Sequence, residues 1–218
     1  MIYVVPRGLE YLTQLDQVLV KQIFELCEIL SGCETKNRYV LTNSLKQEWA
    51  TAVEDTSCLN RQCCGPIRPF DMNITDNQGM EIIHMERPLA CTGSCCPCCL
   101  QSITISSSGQ TLGSVHQEWS FCTPMGVDLT VRDAADNTVF KIKGPCCAFS
   151  CCGTDVDFMV ISNDGQEMGK ISKTWKGCCA EAFTDADAFS ISFPLDLDVK
   201  AKALLIGAMF LVDFMFFE

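Results

Sequence analysis

Short hydrophobic runs separated by polar turn residues fill most of the chain and predict a β-sheet protein. The runs are rich in Val, Ile, Thr and Phe, which favour strands. They occupy 39–41, 70–74, 82–85, 103–105, 127–131, 139–142 and 158–161. Turn-forming residues lie between them at 76–79, 107–109, 136–137 and 163–165. This spacing predicts an antiparallel meander, either closed into a barrel or folded as a sandwich.

The C-terminal segment is apolar on every side. From Ala203 to Phe217 its one charged residue is Asp213. A fifteen-residue helix is about 22 Å long, whereas a bilayer core of roughly 30 Å needs about 20 apolar residues, and extension toward the N-terminus meets Lys202. We therefore predict a helix buried inside a closed sheet. Gly207 would allow close packing there and Asp213 would pair near one end. A single membrane span is the alternative.

The N-terminal segment 8–30 fits two structures. Leu12, Leu15 and Leu19 follow a helical stripe, whereas Val18 and Val20 follow the alternation of a strand. Periodicity alone leaves both structures open.

Seventeen cysteines, an odd number, are spread over 218 residues. The N-terminal sequence breaks at Pro6 and Arg7 before an apolar signal segment forms, so we expect a cytosolic, reducing compartment. A disulfide framework is not expected there. Adjacent pairs are also poorly suited to long-range stapling, and six occur at 63–64, 95–96, 98–99, 146–147, 151–152 and 178–179.

The chain is acidic, with 16 basic and 27 acidic residues and a formal net charge of -11. This charge argues against direct nucleic-acid binding and against unaided attraction to an anionic leaflet. Adhesion to a membrane would need acyl chains or bridging cations. His84 and His116 have no nearby serine or cysteine arrangement typical of a nucleophile, and no nucleotide-binding or metalloprotease motif is present. The sequence therefore predicts a protein that is not an enzyme.

Several long motifs occur in one order along nearly the whole chain. They are PRGLEYL at 6–12, RPF at 68–70, ITDN at 74–77, ERPL at 86–89, CCPCC at 95–99, GKISK at 169–173, EAFTDAD at 181–187, FPLDLDVK at 193–200 and DFMFFE at 213–218. In these motifs the chain resembles the phospholipid scramblase family.

The resemblance implies a tubby-like fold, a closed antiparallel β-barrel of about twelve strands around the C-terminal helix. It also implies a short helix near 9–14 and a strand over 18–30. The implied activity is ATP-independent, Ca2+-stimulated movement of phospholipids in both directions between membrane leaflets. We expect one domain over 1–218, without the proline-rich N-terminal tail of longer members. Partners that read proline-rich motifs are therefore not expected.

The cysteine run resembles the family's palmitoylation site, which implies acylation at Cys95, Cys96, Cys98 and Cys99. Two or more acyl chains give stable membrane anchoring. Buried small side chains and a metal site are the alternatives, since Cys95/Cys98 and Cys96/Cys99 have the spacing of zinc knuckles. The predicted location is the cytoplasmic face of the plasma membrane.

The segment 185–196 resembles the family's proposed calcium loop. By analogy with an EF-hand loop, the candidate Ca2+ ligands are Asp185, Asp187, Phe189, Ile191, Phe193 and Asp196. The match is poor, because the phenylalanines and the isoleucine offer backbone oxygens alone and a serine replaces the turn glycine. A hairpin turn leading into a strand is the alternative.

The segment 169–177 resembles a nuclear import signal of the family, which implies a nuclear pool and binding to importin. Its residues are Gly169, Lys170, Ile171, Ser172, Lys173, Thr174, Trp175, Lys176 and Gly177. A solvated strand with lysines guarding its edge is the alternative. The remaining expected partners are membrane phospholipids, signalling proteins and further copies of the chain in an oligomer. A lipid-tethered adaptor that regulates signalling without moving lipid is the second functional hypothesis.

Overall fold

The computed structural model describes residues 5–23, 36–90, 99–119, 128–145, 155–174 and 188–217. Within these ranges, twelve antiparallel strands form a closed barrel and an α-helix fills its interior. The strands are β1 (Gln17–Ile23), β2 (Arg38–Thr42), β3 (Glu48–Asp55), β4 (Phe70–Asp76), β5 (Glu81–Arg87), β6 (Ser102–Ser107), β7 (Gln110–Gln117), β8 (Asp128–Asp133), β9 (Thr138–Lys143), β10 (Val156–Ser162), β11 (Glu167–Thr174) and β12 (Ala188–Ser192). The α-helices are α1 (Cys58–Cys64) and α2 (Val199–Phe216), and two 3-10 helices cover Glu10–Gln14 and Gly65–Ile67.

Each strand pairs with its neighbours in the chain, and β12 pairs with β1 to close the barrel. In the closing pair, Val20 lies opposite Phe189. Along each strand alternate side chains point inward, as Phe158 and Val160 do on β10, because successive side chains of a strand face opposite sides of a sheet. The predicted barrel is confirmed, and the sandwich is not formed.

The N-terminal segment has the structure that the resemblance implied as far as it is described. A short 3-10 helix covers Glu10–Gln14, and β1 begins at Gln17. The strand is described to Ile23, so the rest of the predicted range, 24–30, lies outside the described residues. The leucines with helical spacing therefore lie in a helix only as far as Gln14. Leu12 and Leu15 are buried in the core at the 3-10 helix and just after it, and Val18 and Val20 point inward from β1.

The barrel has two different ends, because the strands alternate in direction and successive connections alternate between them. At one end, which we call the turn end, the hairpin connections are two to five residues long and a segment over 193–198 leads into α2. At the other end, the loop end, the connections are ten to fourteen residues long. The helix α2 begins at the turn end and ends at the loop end.

The helix α2 is longer than the sequence predicted. It begins at Val199, four residues before Ala203, and so includes Lys200 and Lys202. Its eighteen residues span about 27 Å. Every side chain from Ala201 to Phe214 is buried, so the predicted internal position is confirmed. Of the helices in the described ranges, none is both long and apolar enough to cross a membrane.

Candidate membrane-facing site

The buried lysine of α2 is held by backbone oxygens at the turn end. Lys202 Nζ donates hydrogen bonds to the carbonyls of Leu12, Leu15 and Leu195, at 3.0, 2.6 and 2.8 Å. Its ammonium also lies 5.2 Å from the centroid of the Phe193 ring. Burial lowers the pKa of Lys202. The three carbonyls explain how a lysine is accommodated inside the barrel, and they fasten the N-terminal 3-10 helix to α2.

The buried carboxylate of α2 is paired near the loop end, as the sequence predicted. The hydroxyl of Tyr39 on β2 donates a 3.0 Å hydrogen bond to Asp213 Oδ2. Tyr39 also meets Phe210 edge to face, with ring centroids 5.1 Å apart. The acidic residue in the apolar run therefore has a specific partner in the barrel wall.

The middle of α2 touches the barrel wall closely, as predicted from Gly207. A Cβ atom at Gly207 would lie 2.5 Å from Ile105 Cγ1, which is well inside van der Waals contact. Ala203, one turn earlier, is fully buried. At this height the helix and the barrel wall are therefore in direct contact, with a residue that lacks a side chain on α2 facing a large one on the wall.

Cationic and aromatic side chains surround the C-terminal end of α2. Arg68 lies 5.0 Å from the Phe214 ring centroid, Arg87 lies 5.7 Å from the same centroid, and Lys173 lies 4.2 Å from the Phe217 ring centroid. Cations are favoured here because the last carbonyls of a helix carry partial negative charge. The C-terminal end of α2 is therefore packed among aromatic and basic side chains of the described part of the barrel.

The predicted acylation site belongs to the connection between β5 and β6 at the loop end. Cys99 is half-buried and is not in a disulfide, whereas Cys95, Cys96 and Cys98 lie outside the described residues. Two residues later, Gln101 receives a 2.7 Å hydrogen bond from Arg87 Nη2, and its backbone N–H donates to Gln117 Oε1 at 3.1 Å. These contacts fix the end of this connection against the barrel rim.

The candidate calcium ligands are not gathered in the described part of the chain. Phe189, Ile191 and Phe193 point their side chains into the core, and Asp196 is exposed at the turn end. The strand β12 enters from the loop end, and its five residues separate the two ends by about 13 Å. Asp185 and Asp187 lie outside the described residues. Among the described side chains, no group of three or more His, Cys, Asp or Glu residues is arranged to hold a metal ion.

The predicted import segment is largely part of the barrel wall. Its first six residues, from Gly169 to Thr174, belong to β11, which pairs with β10 on one side and β12 on the other. Ile171 and Lys173 are buried. Lys170 Nζ donates to Asp157 Oδ2 at 3.0 Å, and a hydrogen bond from Ser172 together with this lysine lowers the pKa of Asp157. Trp175, Lys176 and Gly177 lie outside the described residues.

Each histidine has a polar neighbour, which corrects one sequence expectation. His116 Nε2 lies 2.9 Å from the hydroxyl of Ser114, two residues earlier on β7. Burial, helped by the positive charge of Arg132, lowers the pKa of His116. Sequence reasoning missed this pair because a serine two residues away on a strand shares its face. His84 Nδ1 lies 2.6 Å from Asn73 Oδ1 on the adjacent strand.

Comparison with known proteins identifies the family. A family model described as "Scramblase" matches residues 1–218, which is the whole chain. The chain belongs to the scramblase family. It is 55% identical over 215 residues to human "Phospholipid scramblase 1", covering 98% of this chain and 66% of that protein. It is 54% identical to bovine "Phospholipid scramblase 2" and 46% identical to human "Phospholipid scramblase family member 5", covering 72% and 78% of those proteins. The chain thus spans about two thirds of the length of the first two relatives.

Sequence reasoning missed three buried charges that shape this scramblase domain. Glu54 is fully buried and receives two hydrogen bonds from Arg68, at 2.6 and 3.0 Å. Arg87 is buried beside Gln101. A sequence signal exists for the two arginines, since each directly precedes a proline in the motifs RPF and ERPL. Glu54 has no such signal, because an acidic residue near the end of a strand is usually solvated.

Proposed function

We propose that this protein moves phospholipids between the two leaflets of a membrane, in both directions, without ATP and with stimulation by Ca2+. The observation that carries the proposal is the match to the scramblase family across residues 1–218. The names of the relatives support phospholipids as the lipid class. The protein would act as a lipid translocator rather than as an enzyme that makes or breaks bonds.

Acyl chains would hold the protein at the cytoplasmic face of the plasma membrane. The most apolar segment, α2, is already enclosed by the barrel, so it is not available as an anchor in this fold. The net charge of -11 opposes approach to an anionic leaflet. Palmitate on Cys95, Cys96, Cys98 and Cys99 would overcome this repulsion, since two or more chains anchor a protein stably.

Ca2+ would act weakly and close to the loop end. Asp187 directly precedes Ala188, the first residue of β12, and Asp185 is two residues further from the strand. Asp196 lies past the other end of β12, so we exclude it from the same ion. Two carboxylates without a full set of oxygen ligands suit low affinity. Anionic lipid headgroups would supply further oxygens, and the ion would bridge protein and membrane.

The lipid headgroup would not pass through the barrel. A headgroup needs a polar pathway through about 30 Å of hydrocarbon, and α2 packs against the wall where such a pathway would run. We therefore propose that lipid crosses outside the barrel, between copies of the protein or where bound protein thins the bilayer.

A lipid-tethered adaptor is the second candidate, and the filled barrel favours it. A domain whose interior is packed offers no evident route for lipid, yet it suits a platform for signalling proteins. In this role, loss of the acyl chains would release a nuclear pool that binds importin. Because Ile171 and Lys173 are buried, importin would have to read this segment after β11 leaves the barrel.

Leaflet exchange in vesicles tests the proposal. The acylated full chain, purified from cell membranes, is placed in phosphatidylcholine and phosphatidylserine vesicles with fluorescent lipid, and exchange is measured with Ca2+ and with a chelator. Ca2+ is expected to raise exchange above that of protein-free vesicles. Asp185→Asn with Asp187→Asn should lose this stimulation, whereas Asp196→Asn is the matched control and should retain it. If the protein floats with the vesicles but exchange equals that of empty vesicles, the adaptor replaces the scramblase proposal.

A further inference from the structure

The short helix α1 turns its one charged side chain inward. Arg61 is buried, and its Nη1 donates to the backbone carbonyl of Thr56 at 2.6 Å. Successive residues of a helix are rotated by about 100°, so Leu59 and Cys63 lie on the side opposite Arg61. Leu59 is 73% exposed, and Cys58 and Cys63 are exposed as well. The outer face of α1 is therefore uncharged and carries an exposed leucine between two thiols.

Hydrogen bonds hold α1 in this orientation at both ends. Ser57 caps its N-terminus, accepting a 3.2 Å hydrogen bond from the backbone N–H of Asn60. The carbonyl of Thr56 accepts the hydrogen bond from Arg61. The hydroxyl of the same residue donates a 2.7 Å hydrogen bond to Glu54 Oε1. After the C-terminus, Arg68 Nη1 donates to the carbonyl of Gly65 at 3.0 Å. The outward face of α1 is thus a fixed surface rather than one conformation of a loose loop.

The helix α1 shares the loop end with further exposed apolar side chains and with three uncharged sequence runs. The connection that contains α1 and the connection that contains Cys99 are separated by β4 and β5. Neighbouring strands lie about 4.8 Å apart, so these two connections are about 10 Å apart along the rim. Leu89 is 60% exposed in the second connection, and Trp119 is 45% exposed after β7. No charged residue occurs in the sequence over 88–100, 119–127 or 144–154.

In sequence, all seventeen cysteines fall between described strands whose connections run over the loop end. None falls within the described bounds of a strand or within a connection of the turn end. A reduced cysteine behaves as a small apolar side chain that also accepts an acyl group. Sequence position alone does not show this segregation, because the barrel topology is what brings the six connections to one end.

The turn end has no cysteine in its connections, and it carries acidic residues. A groove of about 620 Å3 is lined there by Glu10, Glu48 and Asp76 and by the stacked rings of Tyr11 and Trp49. The turns of this end also carry Asp133, Asp136, Asp164, Asp196 and Asp198. Exposed apolar side chains do occur at this end, such as Leu45, but charged residues stand beside them, as Lys46 does. Acidic residues also occur in the loop-end connections, as Glu181, Asp185 and Asp187 do, so net charge does not choose between the two ends. The predicted acyl chains of the β5–β6 connection, about 10 Å from α1 along the rim, favour the loop end as the one that faces lipid.

We propose that α1 is a second membrane contact of this protein and that its cysteines accept long-chain acyl groups. The inference rests on the proposed attachment to a membrane and extends it to a new element. In the transfer, the thiolate of Cys58 or Cys63 attacks the thioester carbonyl of a long-chain acyl-coenzyme A. A new carbon–sulfur bond forms, the bond to coenzyme A breaks, and coenzyme A leaves as a thiol with the proton that the cysteine lost. Leu59 enters the lipid between the two acylated positions.

Counting acyl chains in cells tests the modification. Free thiols on the full chain are first blocked by alkylation, thioesters are then cleaved with hydroxylamine, and each released thiol is coupled to a polymer tag, so that every acyl chain adds one step to the apparent mass. Cys58→Ser with Cys63→Ser and Cys64→Ser is expected to remove at least one step. Serine replaces exposed or half-buried thiols here and keeps the fold. A ladder identical to that of the unchanged chain would overturn acylation of α1.

Vesicle flotation tests the contact without any acyl chain. The full chain made in bacteria is floated with neutral phosphatidylcholine vesicles under reducing conditions. Leu59→Glu is expected to weaken binding about ten-fold, whereas Leu45→Glu, 75% exposed at the turn end, is the matched control and should bind as the unchanged chain does. Equal binding of the two variants would overturn the proposed contact.

The occupant of the α1 face is identified by cross-linking. A benzoylphenylalanine in place of Leu59 is expected to cross-link to vesicle lipid, and the same group in place of Leu45 is not. A cross-link from position 59 to a second copy of the chain or to another protein would overturn a lipid partner. Leaflet exchange is measured on the same vesicles. Exchange that fails while acylation and lipid contact persist sinks the proposed function and leaves this inference standing.

Discussion

At the scale of single residues, the barrel is notable for polar side chains that are buried but satisfied. Lys202 has three carbonyl acceptors, Asp213 has the Tyr39 hydroxyl, and Glu54 has both Arg68 and Thr56. A buried charge that loses its partner is strongly destabilising. These residues therefore fix the positions of α2 and of the loop-end connections relative to the barrel.

We expect His116 to make the stability of the fold sensitive to mildly acidic pH. Because burial and Arg132 lower its pKa below 6.5, the unfolded chain binds a proton more readily than the folded chain between the lowered pKa and 6.5. The free energy of unfolding therefore falls as the pH drops through this window. His116→Gln, which does not titrate, is expected to lose less stability between about pH 7 and about pH 5. Urea unfolding at both pH values measures this, and an equal loss in both proteins would contradict it.

At the scale of elements, α2 and the barrel wall form one packed unit. The helix is apolar on all sides, and therefore its rotation inside the barrel is not set by an apolar stripe. Its rotation is set instead by two contacts, that of Gly207 with Ile105 and that of Asp213 with Tyr39. Two contacts at different heights along a helix fix its rotation and its depth.

Gly207→Ala tests the close contact between α2 and β6. Alanine raises helix propensity by about 1 kcal/mol, but the added methyl would clash with Ile105. Overpacking of this kind costs about 1–3 kcal/mol, so the free energy of unfolding is expected to fall. In an Ile105→Ala background the clash is gone, and the same change should be neutral or stabilising. A double-mutant cycle by urea unfolding measures the coupling, and an equal effect in both backgrounds would show that the contact is not tight.

At the scale of the whole molecule, the barrel is asymmetric. One end has tight turns without cysteine, and the other has long connections that contain the cysteines in sequence, together with α1. An asymmetric molecule of this kind has a preferred orientation at a surface. With the loop end toward lipid, the cysteines reach the membrane and the barrel needs no change, and Ca2+ would offset the charge of Asp185 and Asp187 at that end.

Membrane binding is therefore expected to leave α2 inside the barrel. Hydrogen exchange of the α2 backbone amides, measured with and without phosphatidylserine vesicles and Ca2+, should show the same protection in both conditions. The reason is that Lys202 and Asp213 would lose their partners if the helix entered lipid. Loss of protection over 199–216 on binding would contradict this and would favour insertion of the helix as the route to lipid movement.

Much of the fold could be predicted from the sequence. The strand runs carry their own signal, since alternation and turn residues are local properties, and the described parts of all seven predicted runs are in strands. The internal helix followed from its length and composition, although its start at Val199 was missed because Lys200 and Lys202 argued against extension. The resemblance resolved the N-terminal segment, which periodicity had left open.

The candidate site was less predictable. The cysteine run at 95–99 is conspicuous in the sequence as a motif. The thiols of α1 are not, because they face outward only as a result of the inward orientation of Arg61. The candidate calcium ligands at 185–196 follow a linear spacing, and the extended strand β12 places Asp196 at the end of the strand opposite to Ala188. Asp185 and Asp187 lie outside the described residues. The import segment resembles a short basic peptide in sequence, but its described part, 169–174, is paired on both edges in the barrel.

By itself, the sequence determined which segments are strands, which segment is the buried helix, and that the chain is acidic and rich in cysteine. These properties depend on neighbouring residues or on composition, so they are present before the chain folds. Only the tertiary structure decided that the cysteine-bearing connections share one end and the acidic turns the other. Barrel closure does this, because antiparallel strands send every second connection to the same end. It also decided that Lys202 is buried, since the carbonyls of Leu12 and Leu15 that receive it are 190 and 187 residues away in the chain.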